Sequence, residues 1–405
     1  LHILPQHIFD PNDYTGRIDW NVLKDSSSAV NDKYSKKLAE FFNSEEVYLK
    51  NEFVIGSGPY MLEKWDIGDK ITLKRNEKYN GSRSSYPDKI IFKYIQDNSY
   101  ALVQAKNKEI DVMYVIPPSD FYVNFTEPEK FNFVKNEPAE PSYTYLGWNE
   151  LNPIFADKKV RKALAYLVDR NSLIKNILFE GAVTIQSPVF YKNEKYINSE
   201  LKEIEFNPEK AKELLIEAGW LDTDNNGILD KIIEGKNTEF RFTFLLNENP
   251  IRKKIIDALK EPFKEAGILF EIKTVPWDQY LDITTTHEFD ATYGAWTVPA
   301  VYVDPYNIFH SSQSEGFGSN FISFKNEMND KMIEEYRNEN DEIKRIEILK
   351  KWQKLIYDEQ PYTFLWSTKG RYINDTRFKN VRWYSDSFSP SFNEWWVPKD
   401  KQKYK

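Results

Sequence analysis

Apolar and polar residues alternate in the first third of the chain. Ile71 and Leu73 are apolar, whereas Thr72 and Lys74 are polar, and a period of two residues predicts a strand with one buried face. Residues 66–69 precede this strand and predict a hairpin turn. Similar patterns predict strands over residues 89–95 and 111–116 and helices over residues 31–43 and 99–106. This part of the chain is therefore expected to combine hairpins with short helices.

From residue 157 the apolar positions recur at helical spacing. Asp157 is a candidate N-cap. It precedes a stripe at i, i+4, i+7 and i+8 that consists of Val160, Leu164, Leu167 and Val168. The Asn-Pro pair at 207–208 predicts the start of a second helix, and the glycine at 219 predicts its end.

Residues 240–275 predict a strand, a helix and a second strand, in that order. Such a βαβ unit implies a parallel pair of strands. Pro262 lies inside the predicted helix, over residues 250–266, and predicts a kink or an early end. Further along, the pattern predicts a helix from residue 277, a strand over 289–296 and two helices between 326 and 358. The last 40 residues are aromatic and are predicted to be strand-like and to return to the first part of the chain. The fold class expected is α/β.

Composition narrows the function classes. The chain has 405 residues, which suggests two or three domains or lobes, and a net charge of −8, which disfavours a nucleic-acid partner. Aromatic residues make up 16% of the chain, which argues against disorder and provides flat surfaces for a ligand cleft. Cysteine is absent and no two of the four histidines are spaced i, i+4, so neither a disulfide nor a helical histidine pair for zinc is possible. A cleft protein that binds a small ligand and a rigid two-domain enzyme both remain open.

The beginning of the chain suggests a fragment. It opens with Leu1 in the middle of a sequence pattern, with no signal peptide before it. No apolar run approaches the roughly 20 residues that a membrane-spanning helix needs. The expectation is an N-terminally truncated fragment, whose localisation must be inferred from elsewhere.

Six segments, in chain order, carry a family resemblance. They are LHILPQHIF (1–9), GSGPYMLEKWDIGDKITLKRNEKYNG (56–81), VRKALAYLVDRNSLIKNILFEGA (160–182), NPEKAKELLIEAGW (207–220), FDATYGAWTVPAVYVDPYNIFHSS (289–312) and GSNFISFKNEMNDKMIEE (318–335). Together they resemble the extracellular solute-binding proteins of the peptide and nickel transport class, solute-binding family 5. These proteins are the ligand-capturing subunits of ABC importers.

The resemblance implies an α/β, two-lobed periplasmic-binding-protein fold of type II, with two interlobe hinge strands. The hinge strands would lie near residues 143–149 and 362–367. Lobe I would comprise residues 1–146 plus 368–405, without its upstream part, and lobe II would comprise residues 147–367.

The implied function is the capture subunit of an ABC importer that closes on oligopeptides or peptide-like solutes. Its partners would be the ligand and the permease subunits, with no nucleic acid, no cofactor and no catalysis. The protein would be a monomer, exported to the periplasm or cell surface, where a lipid on the missing N-terminus could anchor it.

Trp296 is the foremost candidate for ligand contact. In peptide-binding relatives the corresponding strand carries a tryptophan, and an aspartate a few residues later pairs with the ligand's amino group. That aspartate position is occupied here by Val301, and a valine cannot neutralise an ammonium. Recognition of a free peptide N-terminus is therefore in doubt. Asp304 either contacts the ligand or, as is more common, caps the following turn.

The other candidates lie near the expected hinge and in the GSN segment. Trp148 and Asn149 could supply stacking area and hydrogen bonds to a peptide-like or sugar-like ligand, or could simply pack the hinge. Asn320 either faces the ligand or caps a turn, and the turn is favoured. Three further aromatic residues are candidates by their neighbourhood: Tyr145, Tyr302 and Trp366.

Residues 222–230 resemble the start of a calcium loop. Asp222, Asp224, Asn226 and Asp230 would occupy ligand positions 1, 3, 5 and 9. Position 12, normally a bidentate glutamate, is Ile233, so a solvated turn is favoured over a weak structural calcium site.

Two alternative functions remain. An oligosaccharide or metal-chelate carrier of the same fold is compatible with the aromatic residues and with Val301. A carbohydrate-active enzyme would need two carboxylates across an aromatic groove, and nothing in the sequence places two of them in register.

Overall fold

The structure is a computed structural model, and it describes residues 4–45, 47, 50, 53–82, 85–114, 116–299, 303–316, 318–384 and 390–403. The chain divides into two compact units. The first comprises Leu1–Val103, Thr376–Arg382 and Pro390–Lys405, and the second comprises Gln104–Asp375 and Trp383–Ser389. The predicted boundaries between lobe I and lobe II, after residues 146 and 367, lie at the expected hinge. They stay a prediction.

The first unit contains an antiparallel sheet of three strands. They are β1 (Tyr60–Asp66), β2 (Lys70–Arg75) and β3 (Lys89–Lys93), in that order across the sheet. The predicted turn at 66–69 connects the first two strands, where the Asp69 N–H donates to the Asp66 carbonyl over 3.0 Å. The α-helices of this unit are Gln6–Phe9, Ser26–Asn31 and Lys33–Phe42, and Asn98–Lys106 spans the boundary of the units.

The second unit is built on a mixed sheet of six strands. The strands of this unit are β4 (Val112–Met113), β5 (Phe133–Asn136), β6 (Ser142–Trp148), β7 (Ala182–Thr184), β8 (Asp230–Ile233), β9 (Lys236–Glu239), β10 (Arg241–Asn247), β11 (Leu269–Val275), β12 (Ala291–Thr297), β13 (Tyr362–Thr368) and β14 (Tyr372–Asp375). The order of the strands in the six-stranded sheet is β11-β10-β12-β6-β13-β7. A small sheet has the order β4-β14-β5, and β8 pairs with β9. The strand predicted over 111–116 is thus only two residues long.

Helix boundaries follow the capping residues that the sequence predicts. Asp157 caps the helix Lys158–Tyr166 by accepting a hydrogen bond from the Lys159 N–H, and Asn207 caps Pro208–Glu217 in the same way through Lys210. The other helices of this unit are Arg170–Ile177, Pro250–Asp257, Lys260–Glu265, Trp277–Thr285, Tyr306–Phe309, Glu327–Asn338 and Glu342–Glu359. Across the part of the chain that the structure describes, none of the helices has both the length and the apolar character needed to cross a membrane.

The predicted βαβ unit is present, with a broken helix. β10 and β11 run parallel, with Phe244 opposite Ile272. The single helix predicted over 250–266 is replaced by two, which are separated at residues 258–259. Pro262 explains the break because it has no N–H to donate and its ring opposes the carbonyl four residues earlier, that of Ala258.

The prediction of a strand-like C-terminus is wrong for most of its length. In the last 40 residues, as far as the structure describes them, the strands are the end of β13 (residues 366–368) and β14. Lys379 and Trp396 also form an isolated bridge. The rest of the described segment consists of two short 3-10 helices, Phe392–Glu394 and Lys399–Lys401, and of turns and irregular backbone that includes Pro390 and Pro398. Proline cannot donate to a strand ladder, which limits pairing here despite the aromatic composition.

Among the described residues, the two larger hydrophobic cores lie on opposite faces of the six-stranded sheet. One contains Leu146 and Trp148 and packs under the helices that follow residue 157. The other contains Tyr143 and Tyr145 and packs under the helices that follow residue 305. Because successive side chains of a strand point to opposite faces, β6 supplies both cores and is buried on both faces.

Candidate functional site

Strand β6 lies between β12 and β13, and its register brings aromatic side chains together. Trp296 of β12 is opposite Tyr143, and Phe364 of β13 is opposite Tyr145. We call the group that these residues form with two neighbours the aromatic cluster: Tyr143, Tyr145, Trp296, Phe321, Tyr362 and Phe364. It lies on the face of the sheet that the helices after residue 305 cover.

The rings of the aromatic cluster are in direct contact. Tyr145 and Tyr362 stack with centroids 3.8 Å apart and an interplanar angle of 20°. Trp296 stacks on Phe321, with centroids 5.9 Å apart and an angle of 22°. Such contacts add to the stabilisation that burial of the ring area provides. They also fix the orientation of Trp296.

Trp296 and Phe321 form the partly exposed edge of this cluster. Both are half-buried, and the neighbours of Trp296 along the strand, Ala295 and Thr297, are exposed. The four other members have exposed fractions of at most 4%. The stacked pair is therefore the part of the cluster that a ligand could reach. Phe321 was missed by sequence reasoning, although it directly follows the candidate Asn320.

The cluster carries no charge. Burial raises the pKa of Tyr143 and of Tyr145 well above the usual value. It also raises the pKa of Tyr362 to about 12, although polar interactions with Trp296 and Tyr145 partly offset the effect. These interactions fall short of hydrogen-bond geometry, since Trp296 Nε1 and the Tyr362 hydroxyl have no hydrogen-bond partner among the described residues. The phenols stay protonated at neutral pH, so the cluster offers stacking area rather than acid–base chemistry.

Three of the predicted contacts are buried packing residues. Trp148 is fully buried among phenylalanines, and its indole N–H donates to Thr363 Oγ1 over 3.0 Å. Trp366 is buried in the same core, and Tyr145 is buried in the opposite one. The structure favours the packing interpretation for these side chains.

The predicted asparagines are both engaged by the backbone. Asn149 Nδ2 donates to the carbonyls of His287 and Phe289 over 2.9 and 2.7 Å. Asn320 is fully buried, donates to the His310 and Phe324 carbonyls and accepts from the Phe324 N–H. These contacts are those of residues that fix turns.

Asp304 is exposed but already paired. Its carboxylate accepts a hydrogen bond from the Tyr306 N–H over 3.1 Å and lies 3.3 Å from the Arg337 guanidinium. That guanidinium also lies 4.2 Å from the centre of the Tyr306 ring. The predicted turn-capping alternative fits this geometry. Tyr302 and Val301 lie outside the described residues, so the predictions on them stay open.

The acidic loop at 222–230 gathers the predicted oxygens. Carboxylate oxygens of Asp222, Asp224 and Asp230 lie within 4.8 Å of one another. Asp230, however, is occupied: Thr223 donates to it through its N–H and its hydroxyl, over 2.9 and 2.7 Å, and these hydrogen bonds lower the pKa of Asp230. Asn226, the fourth predicted ligand, donates through Nδ2 to Asp224 and Glu239. Calcium binding stays a prediction.

Comparison with known sequences gives the family. Residues 5–320 match the bacterial extracellular solute-binding proteins, family 5. The chain belongs to this family. It is 31% identical to the oligopeptide-binding protein AppA of Bacillus subtilis over 397 residues, which are 96% of this chain and 69% of AppA. It is 24% identical to the dipeptide-binding protein of Escherichia coli over 344 residues, 84% of this chain and 60% of that protein.

Solved structures agree with this assignment. The structure of B. subtilis AppA in complex with a nonapeptide matches with a TM-score of 0.76 and 29% identity, over 98% of this chain and 72% of that one. NikZ of Campylobacter jejuni in complex with Ni(L-His) matches with a TM-score of 0.70 and 24% identity, over 86% of this chain and 72% of that one, which supports the fold alone. The predicted two-lobed, type II periplasmic-binding-protein fold is confirmed.

Proposed function

We propose that this chain is the ligand-capturing part of an ABC importer's solute-binding protein and that its ligands are oligopeptides. The observation that carries the proposal is the 31% identity to an oligopeptide-binding protein across nearly the whole chain. A nonapeptide complex of that relative supports the same ligand class. We propose binding without catalysis, because the aromatic cluster provides no titrating group at neutral pH.

Trp296, stacked on Phe321, is the proposed ligand contact. A half-buried aromatic pair at the end of a strand provides a flat apolar surface for a peptide side chain or for a peptide plane. Asp304 is held by Arg337 and the Tyr306 N–H, so it is not the partner of a peptide ammonium in this proposal.

The mechanism would be a population shift. Lobe I (1–146 and 368–405) and lobe II (147–367) would close about the strands β6 and β13. A ligand that contacts both lobes only in the closed state favours closure by its difference in affinity for the two states. The permease subunits would distinguish the closed from the open state, and the exported protein, a monomer, would operate in the periplasm or at the cell surface, where a lipid could anchor it.

The direct test is to identify what the purified full-length protein carries. Denaturation would release its bound small molecules for mass spectrometry. Peptides in the eluate are the expected result. A sugar or a metal chelate would keep the fold and refute the peptide assignment. Turnover of a chromogenic glycoside would contradict a purely binding role.

A further inference from the structure

A cavity lies in the same compact unit as the aromatic cluster, next to the start of strand β12. Its volume is about 630 Å³, within the range of roughly 300–1,000 Å³ that small-molecule sites occupy. It is lined by the end of β6, the strands β10 and β11 and the loop before β12. Trp296 is six residues from Asp290, which lines the cavity. At about 3.3 Å per residue, Asp290 is about 20 Å along the strand from Trp296, whereas His287, which also lines the cavity, has its Nδ1 2.7 Å from the carbonyl oxygen of Phe321 in the aromatic cluster.

Asp290 and Asn149, which we call the polar frame of the cavity, already have hydrogen-bond partners within the protein. The Asp290 carboxylate accepts hydrogen bonds from Asn152 Nδ2 over 2.8 Å and from the Thr243 N–H over 2.9 Å. Asn149 is held by the loop carbonyls of His287 and Phe289. These hydrogen bonds fix the shape of the cavity. Because Asp290 and Asn149 already have partners within the protein, they do not need a hydrogen bond from a ligand.

Two charged side chains of the lining differ from the frame. Lys273 of β11 and Glu288 of the loop before β12 are exposed. Throughout the described part of the chain, neither side chain has a hydrogen-bond partner or an ion-pair partner. They carry opposite charges in one cavity, yet they do not pair with each other. Single surface charges are common, but two complementary ones that line a shared cavity can both be paired by one ligand that carries both charges.

The wall between these charges is partly apolar. Leu245 is 2% exposed and Phe289 is half-buried, and both line the cavity. Apolar side chains with a few unpaired polar groups are typical of sites that bind small ligands. A ligand that complements this lining bears a positive group, a negative group and an apolar part.

We propose that this cavity binds a free amino acid with an apolar side chain. Lys273 would pair with the α-carboxylate and Glu288 with the α-ammonium, and the side chain would contact the exposed part of Phe289, behind which Leu245 is buried. Charge-assisted hydrogen bonds of this kind are stronger than neutral ones, so loss of either ligand charge weakens binding. The lining of this cavity does not include Trp296 or Phe321, and the proposal does not rest on the proposed function.

Isothermal titration of the 405-residue chain tests the proposal with three probes. L-Leucine carries both charges, L-leucinamide carries only the positive one and N-acetyl-L-leucine carries only the negative one. We expect L-leucine to bind at least tenfold more tightly than either analogue. No detectable binding of L-leucine at millimolar concentration, or equal binding of the three probes, would overturn the proposal.

Substitutions assign each charge to its partner. Lys273→Met should abolish the preference for L-leucine over L-leucinamide, and Glu288→Gln should abolish the preference over N-acetyl-L-leucine. Lys264→Met, which changes a lysine outside the cavity, should leave both preferences unchanged. If Trp296→Ala removes L-leucine binding while Lys273→Met retains it, L-leucine occupies the aromatic cluster and the second site is refuted.

Discussion

The ring of Tyr145 lies across Gly294, its partner on the neighbouring strand β12. A Cβ atom at position 294 would come within 2.4 Å of the Cζ and hydroxyl oxygen of this ring. Glycine is therefore required there by a close approach of a buried side chain and not by backbone conformation. The aromatic cluster depends on this contact, because Tyr145 stacks in turn on Tyr362.

Gly294→Ala should lower the free energy of unfolding by about 1–3 kcal/mol, the usual effect of overpacking a core. Urea unfolding would measure it. The cost should shrink in a Tyr145→Leu background, since the two changes act on one contact. Gly58→Ala is the control, because no atom lies within 4 Å of a Cβ at that position. If Gly294→Ala lowers the free energy of unfolding as much in the Tyr145→Leu background as in the wild type, the contact with Tyr145 is not the cause of the destabilisation.

Trp296→Ala should weaken oligopeptide binding by about tenfold or more, because loss of a stacked aromatic ring costs around 1–3 kcal/mol. Calorimetry with a peptide that the full-length protein releases would measure the change. Trp277→Ala is a matched control, since Trp277 is an exposed tryptophan, on a helix of the same unit. Unchanged affinity in Trp296→Ala would exclude Trp296 as a ligand contact.

The buried Glu150 is expected to make the stability of the folded protein depend on pH. Burial raises the pKa of Glu150 to about 8, and Glu359 adds to the effect, while Arg161, at 3.3 Å, opposes it. The folded state therefore binds a proton more tightly than the unfolded state, whose glutamate pKa is about 4.3. Stability from this group is present below the unfolded pKa and is lost as the pH rises through 8.

Glu150→Gln should remove that loss of stability. Between pH 5 and pH 9, which lie on either side of the pKa of about 8, the free energy of unfolding should therefore fall less in the variant than in the wild type. Urea unfolding at both pH values would show the difference. Glu271→Gln, at an exposed position of β11, should follow the wild type. An identical decline in wild type and Glu150→Gln would contradict the assignment.

The acidic loop should behave as a solvated turn. Both carboxylate oxygens of Asp230 accept hydrogen bonds from Thr223, so a calcium ion would have to displace protein donors. We expect the melting temperature to be the same in EDTA and in millimolar calcium. A calcium-dependent rise that Asp222→Asn abolishes would instead establish a structural metal site.

The sequence predicts those elements whose ends are marked by local chemistry. Asp157 and the Asn207–Pro208 pair are caps that act within one turn of the helix, and both helices begin where these residues predict. Pro262 breaks its helix by an equally local effect. The family resemblance, rather than a local signal, implies a strand near residues 143–149, and β6 (Ser142–Trp148) lies there.

The contacts of individual side chains were harder to predict. A strand that is apolar on both faces has no alternation to show which residues point to which side. Trp148 and Trp296 are both tryptophans on strands of one sheet, yet one is fully buried and the other half-buried, because their neighbours in space differ. Phe321 lies 25 residues from Trp296 in sequence, and only the fold brings the two rings together.

The position of β6 between two cores has a consequence for unfolding. Exposing either face of this strand to solvent would disrupt the packing on one side and the ladder to both neighbours, β12 and β13. Local opening without global unfolding is therefore least favourable here. In a deuterium-exchange experiment, the amide protons of β6 should be among the last in this unit to exchange, long after those of the edge strand β11.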